Sequence, residues 1–402
     1  MHFAFNFSSS TEETQTTKQL KSSKLSNSTY SESSTYGKSD ANNRIAINPN
    51  VDKPDNREQS ATRLNFVPLL VKDTESTSIS SKEGEISVLF DVIPLRSSEK
   101  IKSAAQTEGI LLQTCDVPSV LRRVRPLDPT RLVTLAGDSI QKSDLIPGIY
   151  EGGLKTWECS IDLCRYLYEL YSTPSVENQS SDGITLALGS DGTTLELGCG
   201  HGLPGILVSL LGASRRNKVL FSDYNDYVLN YCTLRNIYLN TPLQFHEDLP
   251  SRIALVSGDW LQLSNLLSPV HGNNSKSTTQ HKDLDNFISS SSSTDFSRFD
   301  LILAAETTYA ESSARDTATL ISRHLKFDTG VALVATKRYY FGVGGGSDCF
   351  RRCAELIQVE RCELDNNQNV STVYILQVKT VKVIDDGNIR EILQIKLEKI
   401  SK

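Results

Sequence analysis

The sequence predicts an α/β protein built on a doubly wound, mostly parallel β-sheet. Three observations carry this expectation. Short apolar runs recur at 194–197, 218–222, 253–256, 299–304 and 331–335. Amphipathic stretches, such as 227–239 and 314–326, separate several of them. Most of the runs are apolar on consecutive residues, as strands covered on both faces require. In such a sheet the ligand lies beyond the carboxyl ends of the strands, where the strand order reverses. The residues that follow each run are therefore the candidates for function.

The first run leads into Leu195-Glu196-Leu197-Gly198-Cys199-Gly200-His201-Gly202-Leu203-Pro204-Gly205. Glycines let the chain turn sharply and approach a ligand closely. Pro204 suits the first turn of a helix expected over 203–211. Gly200, Gly202 and Gly205 also match the dinucleotide fingerprint, so an NAD-dependent oxidoreductase stays open at this point. His201 reads as a solvated loop histidine without a partner and His324 as the edge of a helix face; neither is given a role.

The second run ends in Phe221-Ser222-Asp223-Tyr224-Asn225. Asp223 can accept hydrogen bonds from both ribose hydroxyls of an adenosine, cap the helix starting near Asp226, or do both. The third ends in Ser257-Gly258-Asp259-Trp260, where a carboxylate and an indole could flank an adenine; a capping Asp and a half-buried Trp is the plainer alternative. After the fourth comes Glu306-Thr307-Thr308-Tyr309, an acid and a phenol able to orient a nucleophile and accept its proton. The fifth leads to Lys337-Arg338-Tyr339-Tyr340 and then to Phe341-Gly342-Val343-Gly344-Gly345-Gly346, a loop able to admit a side chain or to serve as a plain turn.

Around this core the chain is uneven. Residues 1–62 are rich in Ser, Thr, Asn, Lys and Glu, too polar to offset ordering entropy, and are expected to be disordered; Phe3, Phe5 and Phe7 alternate at their front. Residues 63–143 read as an irregular approach segment, with one possible strand over 85–93. A helix is expected over 157–171, and residues 264–297, which include serines 289–293, as a flexible insert. The catalytic domain is expected to span 144–384.

Composition narrows the class. The 402 residues carry a formal net charge of −6 with both signs interspersed, so no general nucleic-acid or anionic-membrane footprint is present. Arg122, Arg123 and Arg125 form a local basic group that can be a solvated or a substrate-facing turn. The eight cysteines include no Cys-x-x-Cys pair and no histidine at zinc-ligand spacing, which points to a reducing compartment and no metal. The start MHFAFNF lacks the features of a signal peptide. No segment approaches the ~20 apolar residues of a membrane span. A soluble intracellular protein is expected.

One stretch is more specific than any strand end. Asp144-Leu145-Ile146-Pro147-Gly148-Ile149-Tyr150-Glu151-Gly152-Gly153-Leu154-Lys155-Thr156-Trp157-Glu158-Cys159 resembles the segment preceding the catalytic fold of protein-histidine methyltransferases. The likeness continues, in the family's order, through LELGCGHGLPGI, FSDYN, SGDW, AAETTYA and KRYYFGVGGG, over roughly residues 144–350.

This resemblance implies a Rossmann-like class I methyltransferase sheet, usually seven-stranded, that binds S-adenosylmethionine. It implies that Trp157 and Glu158, with Thr156 and Cys159 beside them, line the methionine end of the cofactor. Gly198, with Glu196 and Gly200, would pass beneath it. Asp223, Tyr224 and Asn225 would hold the ribose side, and Gly258, Asp259 and Trp260 the adenine. Glu306 would serve both cofactor and acceptor, with Tyr309 orienting the acceptor ring. The implied substrate is a large-subunit ribosomal protein, and the implied setting is cytoplasm and nucleus, the nucleolus included, with the chain a monomer. Related lysine methyltransferases carry Asp-x-x-Tyr after the fourth strand. Glu306-x-x-Tyr309 fits the histidine branch instead. A lysine or small-molecule methyltransferase and a non-catalytic cofactor-binding scaffold remain the alternatives, beside the oxidoreductase.

Overall fold

Five apolar runs become five adjacent parallel strands. In the computed structural model, residues 65–68, 90–95, 120–124, 144–146, 148–172, 192–211, 217–268, 287, 298–365 and 368–400 are described. The parallel strands are β4 (Thr193–Leu197), β5 (Lys218–Asp223), β6 (Ile253–Ser257), β7 (Leu301–Ala305) and β8 (Val331–Lys337). Three strands precede them, β1 (Asn65–Pro68), β2 (Phe90–Pro94) and β3 (Val120–Val124), and three follow, β9 (Gln358–Asp365), β10 (Gln368–Ile384) and β11 (Arg390–Lys399). One sheet of nine strands takes the order β1-β6-β5-β4-β7-β8-β11-β10-β9.

With β4 as strand one, the central order is 3-2-1-4-5, followed by β11 and then β10. A dinucleotide-binding sheet continues 4-5-6; here β11 lies between β8 and β10 and runs antiparallel to both. The order reverses between β4 and β7, which puts the ends of those two strands, Gly198 and Glu306, at the switch point. The expected doubly wound sheet is present, with edge strands β1 and β9 added to seven.

The helices follow the sequence pattern closely. They are α1 (Glu158–Ser172), α2 (Leu203–Leu211), α3 (Asp226–Val228), α4 (Leu234–Asn240), α5 (Leu249–Arg252), α6 (Trp260–Leu267), α7 (Glu311–His324) and α8 (Ser347–Glu355). A π turn, Leu229–Thr233, joins α3 to α4. Strand side chains alternate between two buried layers. Leu195, Leu197, Ile302, Ala304 and Val334 pack with Leu263 and Leu267 of α6, Ala318 and Ile321 of α7, and Phe350 of α8. Phe221, Leu255, Leu301 and Leu333 pack with Leu163 and Leu167 of α1, and Ile206 and Leu207 of α2.

Three expectations need correction. The domain cannot end at 384, because β11, at 390–399, pairs directly with β8 inside the sheet. The alternation Ile392, Leu393, Ile395, Leu397 fills both layers. Residues 63–143 are more than an approach: β1 extends the sheet beside β6, and Ile93 and Leu121 of the β2–β3 ladder are buried against the second layer. The insert cannot begin at 264, since Leu263, Ser264, Leu266 and Leu267 form the buried face of α6. Within it, Phe287 packs on the first layer, and Lys218 Nζ donates to its carbonyl at 2.5 Å. The rest of 264–297 beyond Ser268, and all of 1–62, lie outside the described residues.

One buried ion pair locks α1 to β11. Arg390 Nε donates to Asp162 Oδ2 at 2.5 Å, and its Nη2 to Asp386 Oδ1 at 2.6 Å. Desolvation opposes the charge on Arg390, but the two carboxylates outweigh it and raise its pKa. Removing one partner of a buried pair strands the other, typically at about 3–5 kcal/mol. Arg390→Met is therefore expected to lower unfolding free energy by about that much in urea titrations. Asp386→Asn, altering the exposed partner, should change it by under about 1 kcal/mol.

Candidate functional site

The turn after β4 is built from residues that tolerate left-handed backbone. Gly198 and Gly200 have φ of 56° and 52°. A Cβ on Gly200 would sit 3.1 Å from Gly153 O, so another part of the chain already crowds this turn. A Cβ on Gly198 would meet Thr307 Cγ2 at 3.2 Å and Trp260 Cζ2 at 3.7 Å, bringing the β4, β6 and β7 ends together around one glycine.

The turn is braced from beneath. Asp223 Oδ2 accepts from Gly200 N at 2.9 Å, and Oδ1 from Asn225 N at 3.1 Å. Burial pushes the Asp223 carboxyl up to about 6 despite these bonds. A carboxylate offers about four acceptor positions, more than the backbone N–H groups of Gly200, Asn225 and Tyr224 use, so a ribose hydroxyl would add to this brace. Thr233, in the π turn, donates from Oγ1 to Gly200 O at 2.6 Å. The wider helical turn brings that hydroxyl to the glycine loop.

Segment 148–157 straps the turn from above. Tyr224 Oη donates to Gly148 O at 2.9 Å, and Asn225 Nδ2 to Ile149 O at 2.8 Å. Glu151 N donates to Asn225 Oδ1 at 3.3 Å. A Cβ on Gly153 would lie 2.8 Å from Val228 Cγ1 and 3.0 Å from Asp223 Oδ2, so only glycine passes there.

His201 overturns its expected solvation. It is buried, with Nε2 donating to Leu154 O at 3.0 Å while Nδ1 accepts from Asn236 Nδ2 at 3.3 Å. Burial lowers its pKa to about 4. It pins the strap to the glycine loop as a neutral ring. His324 is also buried, with Nε2 3.0 Å from Ser264 Oγ.

Glu196 is turned into the core and away from the turn's open side. Its Oε2 accepts from Gly205 N at 2.8 Å in the first turn of α2, and burial, reinforced by Asp223, pushes its carboxyl up to about 8. The native state thus holds a proton that the unfolded chain releases near the ordinary 4.5. The resulting stabilisation is complete below that value and is lost as pH rises toward about 8. Glu196→Gln keeps the acceptor and removes the titration. Calorimetric scans should show the variant matching the parent near pH 5 and exceeding it near pH 8, by on the order of a few kcal/mol. Parallel profiles would refute this.

Asp259 caps α6, its Oδ1 accepting from Gln262 N at 2.9 Å, while Trp260 is half-buried on the core. Asp259 is thus a helix cap, and Trp260 borders Gly198. Gly258 N donates to Asp223 O at 3.0 Å, tying the β5 and β6 ends together.

At the other side of the switch point stands Glu306, with φ of 59°. A left-handed non-glycine residue stores strain of about 1–3 kcal/mol and tends to mark functional positions. Its Oε2 accepts a short hydrogen bond from Tyr340 Oη. Its Oε1 makes no hydrogen bond but lies 3.5 Å from Lys337 Nζ, which also pairs with Glu158 at 3.4 Å. Burial works against the Lys337 charge, but Glu306 and Glu158 outweigh it and raise its pKa. Burial and Glu306 keep Tyr340 a phenol and the buried Cys159 a thiol.

Tyr309 does not join Glu306. Its hydroxyl donates to Glu151 Oε2 at 2.5 Å, while Glu151 Oε1 accepts from Gly148 N at 2.8 Å. The expected Glu306–Tyr309 unit is thus two separate units, because the left-handed Glu306 directs its carboxylate toward β8 rather than along its own strand end. The 341–346 loop is pinned to that end: Gly345 N donates to Tyr309 O at 3.1 Å and Gly346 N to Thr308 O at 2.8 Å. A Cβ on Gly345 would fall 2.1 Å from Thr308 O.

Lys337, Tyr340 and Glu151 sit inside motifs that single out no role for them. Position at the end of β8 could have nominated the first two; nothing local signals the third. Two further hydroxyls, Thr156 Oγ1 and Thr307 Oγ1, are buried with no hydrogen-bond partner, and Thr307 adjoins Gly198. Orphaned polar atoms beside a glycine turn fit a polar ligand with acceptor and donor groups. Among the described residues no group of His, Cys, Asp or Glu could hold a metal, and no helix is long and apolar enough to cross a membrane.

No protein-family profile matches the chain. It is similar to proteins named histidine protein methyltransferase 1 homolog. The one from Dictyostelium discoideum is 36% identical over 258 residues, covering 64% of this chain and 61% of that protein. The one from Rattus norvegicus is 31% identical over 266 residues, covering 61% and 56%. Histidine protein methyltransferase 1 of Saccharomyces cerevisiae is 30% identical over 260 residues, covering 54% and 59%. The chain thus spans about three-fifths of these relatives' length. An O-methyltransferase family protein from Burkholderia thailandensis overlaps 59% of the chain and 57% of its own at 10% identity and TM-score 0.33, too remote to bear on the site.

Proposed function

We propose that this chain is an S-adenosylmethionine-dependent methyltransferase that modifies a histidine ring nitrogen of a protein. The single observation that carries the reading is the switch point. A braced glycine turn and a left-handed, partnered carboxylate follow the adjacent strands β4 and β7, with Thr307 against Gly198. The similarity to histidine protein methyltransferases supports the acceptor half.

The fit to the cofactor is a fit of residues. Gly198 and Gly200 leave room for close approach, Asp223 offers acceptor capacity for ribose hydroxyls, and Trp260 offers an aromatic face beside the turn. Thr156 and Thr307 supply unused hydroxyls. S-adenosylmethionine supplies an already activated methyl group, so the protein's task is alignment, a term that reaches ~7–11 kcal/mol. Imidazole, with an ordinary pKa near ~6.5, is largely neutral at physiological pH and can attack through its free nitrogen. Glu306 would accept the hydrogen of the other ring nitrogen, fixing the tautomer and drawing off the proton after transfer. Tyr340 and Lys337 would hold that carboxylate in place.

A large-subunit ribosomal protein is the finer reading of the acceptor, supported by the motif resemblance over 144–350. With it goes a cytoplasmic and nuclear setting. The oxidoreductase reading loses support from the reversed β11, which a parallel dinucleotide sheet lacks. Calorimetric titration tests the cofactor half. S-adenosylhomocysteine is expected to bind in the micromolar range and NAD not at all, whereas NAD binding would overturn the assignment. For the acceptor half, labelled methyl should enter protein, not a free metabolite, when extract from cells lacking this chain is the substrate.

A further inference from the structure

Lys337 lies where a substrate cation would be expected. Its ammonium is 3.5 Å from Glu306 Oε1 and 3.4 Å from Glu158 Oε2. It is 5.3 Å from the centre of the Trp157 ring and 5.5 Å from that of Tyr340. Two carboxylates and two aromatic faces within ~6 Å are the parts of a site for an alkylammonium ion. A surface cleft of about 370 Å³, walled in part by Glu158, Arg165, Lys337 and Arg390, reaches the Lys337–Glu158 side of this cluster. The chain fills that site with its own side chain, which is only 14% exposed.

We propose that Lys337 occupies an ammonium-binding site within the acceptor region and so excludes alkylammonium acceptors such as a lysine side chain. The inference rests on the reading of Glu306 as part of the acceptor pocket. A second ammonium would meet the charge of Lys337 and find its counter-ions taken. A neutral imidazole meets neither obstacle, since its ring N–H needs only one acceptor lone pair from Glu306. Discrimination between histidine and lysine therefore comes from a repulsive element as well as from pocket shape.

The test uses the full chain saturated with S-adenosylhomocysteine and n-butylammonium chloride as the probe, followed by calorimetry. Lys337→Ala should bind n-butylammonium at least ~tenfold more tightly than the parent or Lys337→Arg, which keeps the charge. Lys337→Met serves as the second uncharged variant if the Ala variant does not melt cooperatively. Equal affinity in charged and uncharged forms overturns the proposal. So does a large loss of S-adenosylhomocysteine binding in the uncharged variants, which would assign Lys337 to the cofactor. Product analysis of the parent separates the two levels. Methylhistidine without any gain of ammonium binding in the variants sinks this inference alone; methyllysine from the parent sinks the acceptor reading with it.

Discussion

Glu306→Gln is expected to lower the rate of histidine methylation by about 10²–10⁴-fold, the range typical of a lost general acid–base group, while S-adenosylhomocysteine affinity changes little. Gln matches the volume and can still accept from Tyr340, so the left-handed turn and its neighbours should persist. What it loses is the charge that faces Lys337 and would take the imidazole proton. Tyr340→Phe removes only one of the two groups that hold Glu306 and should cost less. Initial rates with labelled cofactor, alongside calorimetry, separate the outcomes. Unchanged rates in a folded Glu306→Gln protein would remove Glu306 from the chemistry.

Asp223→Ala should weaken S-adenosylhomocysteine binding by about 10²–10⁴-fold, since two hydrogen bonds to a charged acceptor are each worth about 1.5–3 kcal/mol. The structure adds a second reason. The same carboxylate holds Gly200 N and Asn225 N, so its removal also loosens the turn on which the cofactor would lie. Asp223→Asn separates the two roles. An amide oxygen can replace one acceptor but not both, so the variant should fall between parent and Ala. Affinity within about threefold of the parent for Asp223→Ala would show that the cofactor is held elsewhere.

Much of this was legible beforehand because strand ends carry both the fold signal and the function signal. The five apolar runs announced β4 to β8 to within a residue or two, and Gly198, Asp223, Asp259 and Glu306 stand at their ends. The β9–β11 meander was not legible. Its last strand, β11, mixes Gln, Lys and Glu with the apolar residues, as in Gln394, Lys396 and Glu398, so the expected domain stopped short of it at 384. The partners of Glu306 were hidden for another reason. A positive φ at a non-glycine residue leaves no mark in the sequence, and it alone turns this carboxylate from Tyr309 toward Tyr340 and Lys337. His201 was misread because its partners, Leu154 and Asn236, lie on two distant segments that meet only in the folded chain.

The most direct measurement identifies the methylated amino acid. The chain is incubated with labelled S-adenosylmethionine and ribosomal protein from cells that lack it, and the protein product is hydrolysed completely. The label should run as methylhistidine, and Glu306→Gln should abolish most of it without abolishing cofactor binding. Label recovered as methyllysine, or only in a free metabolite, would contradict the account.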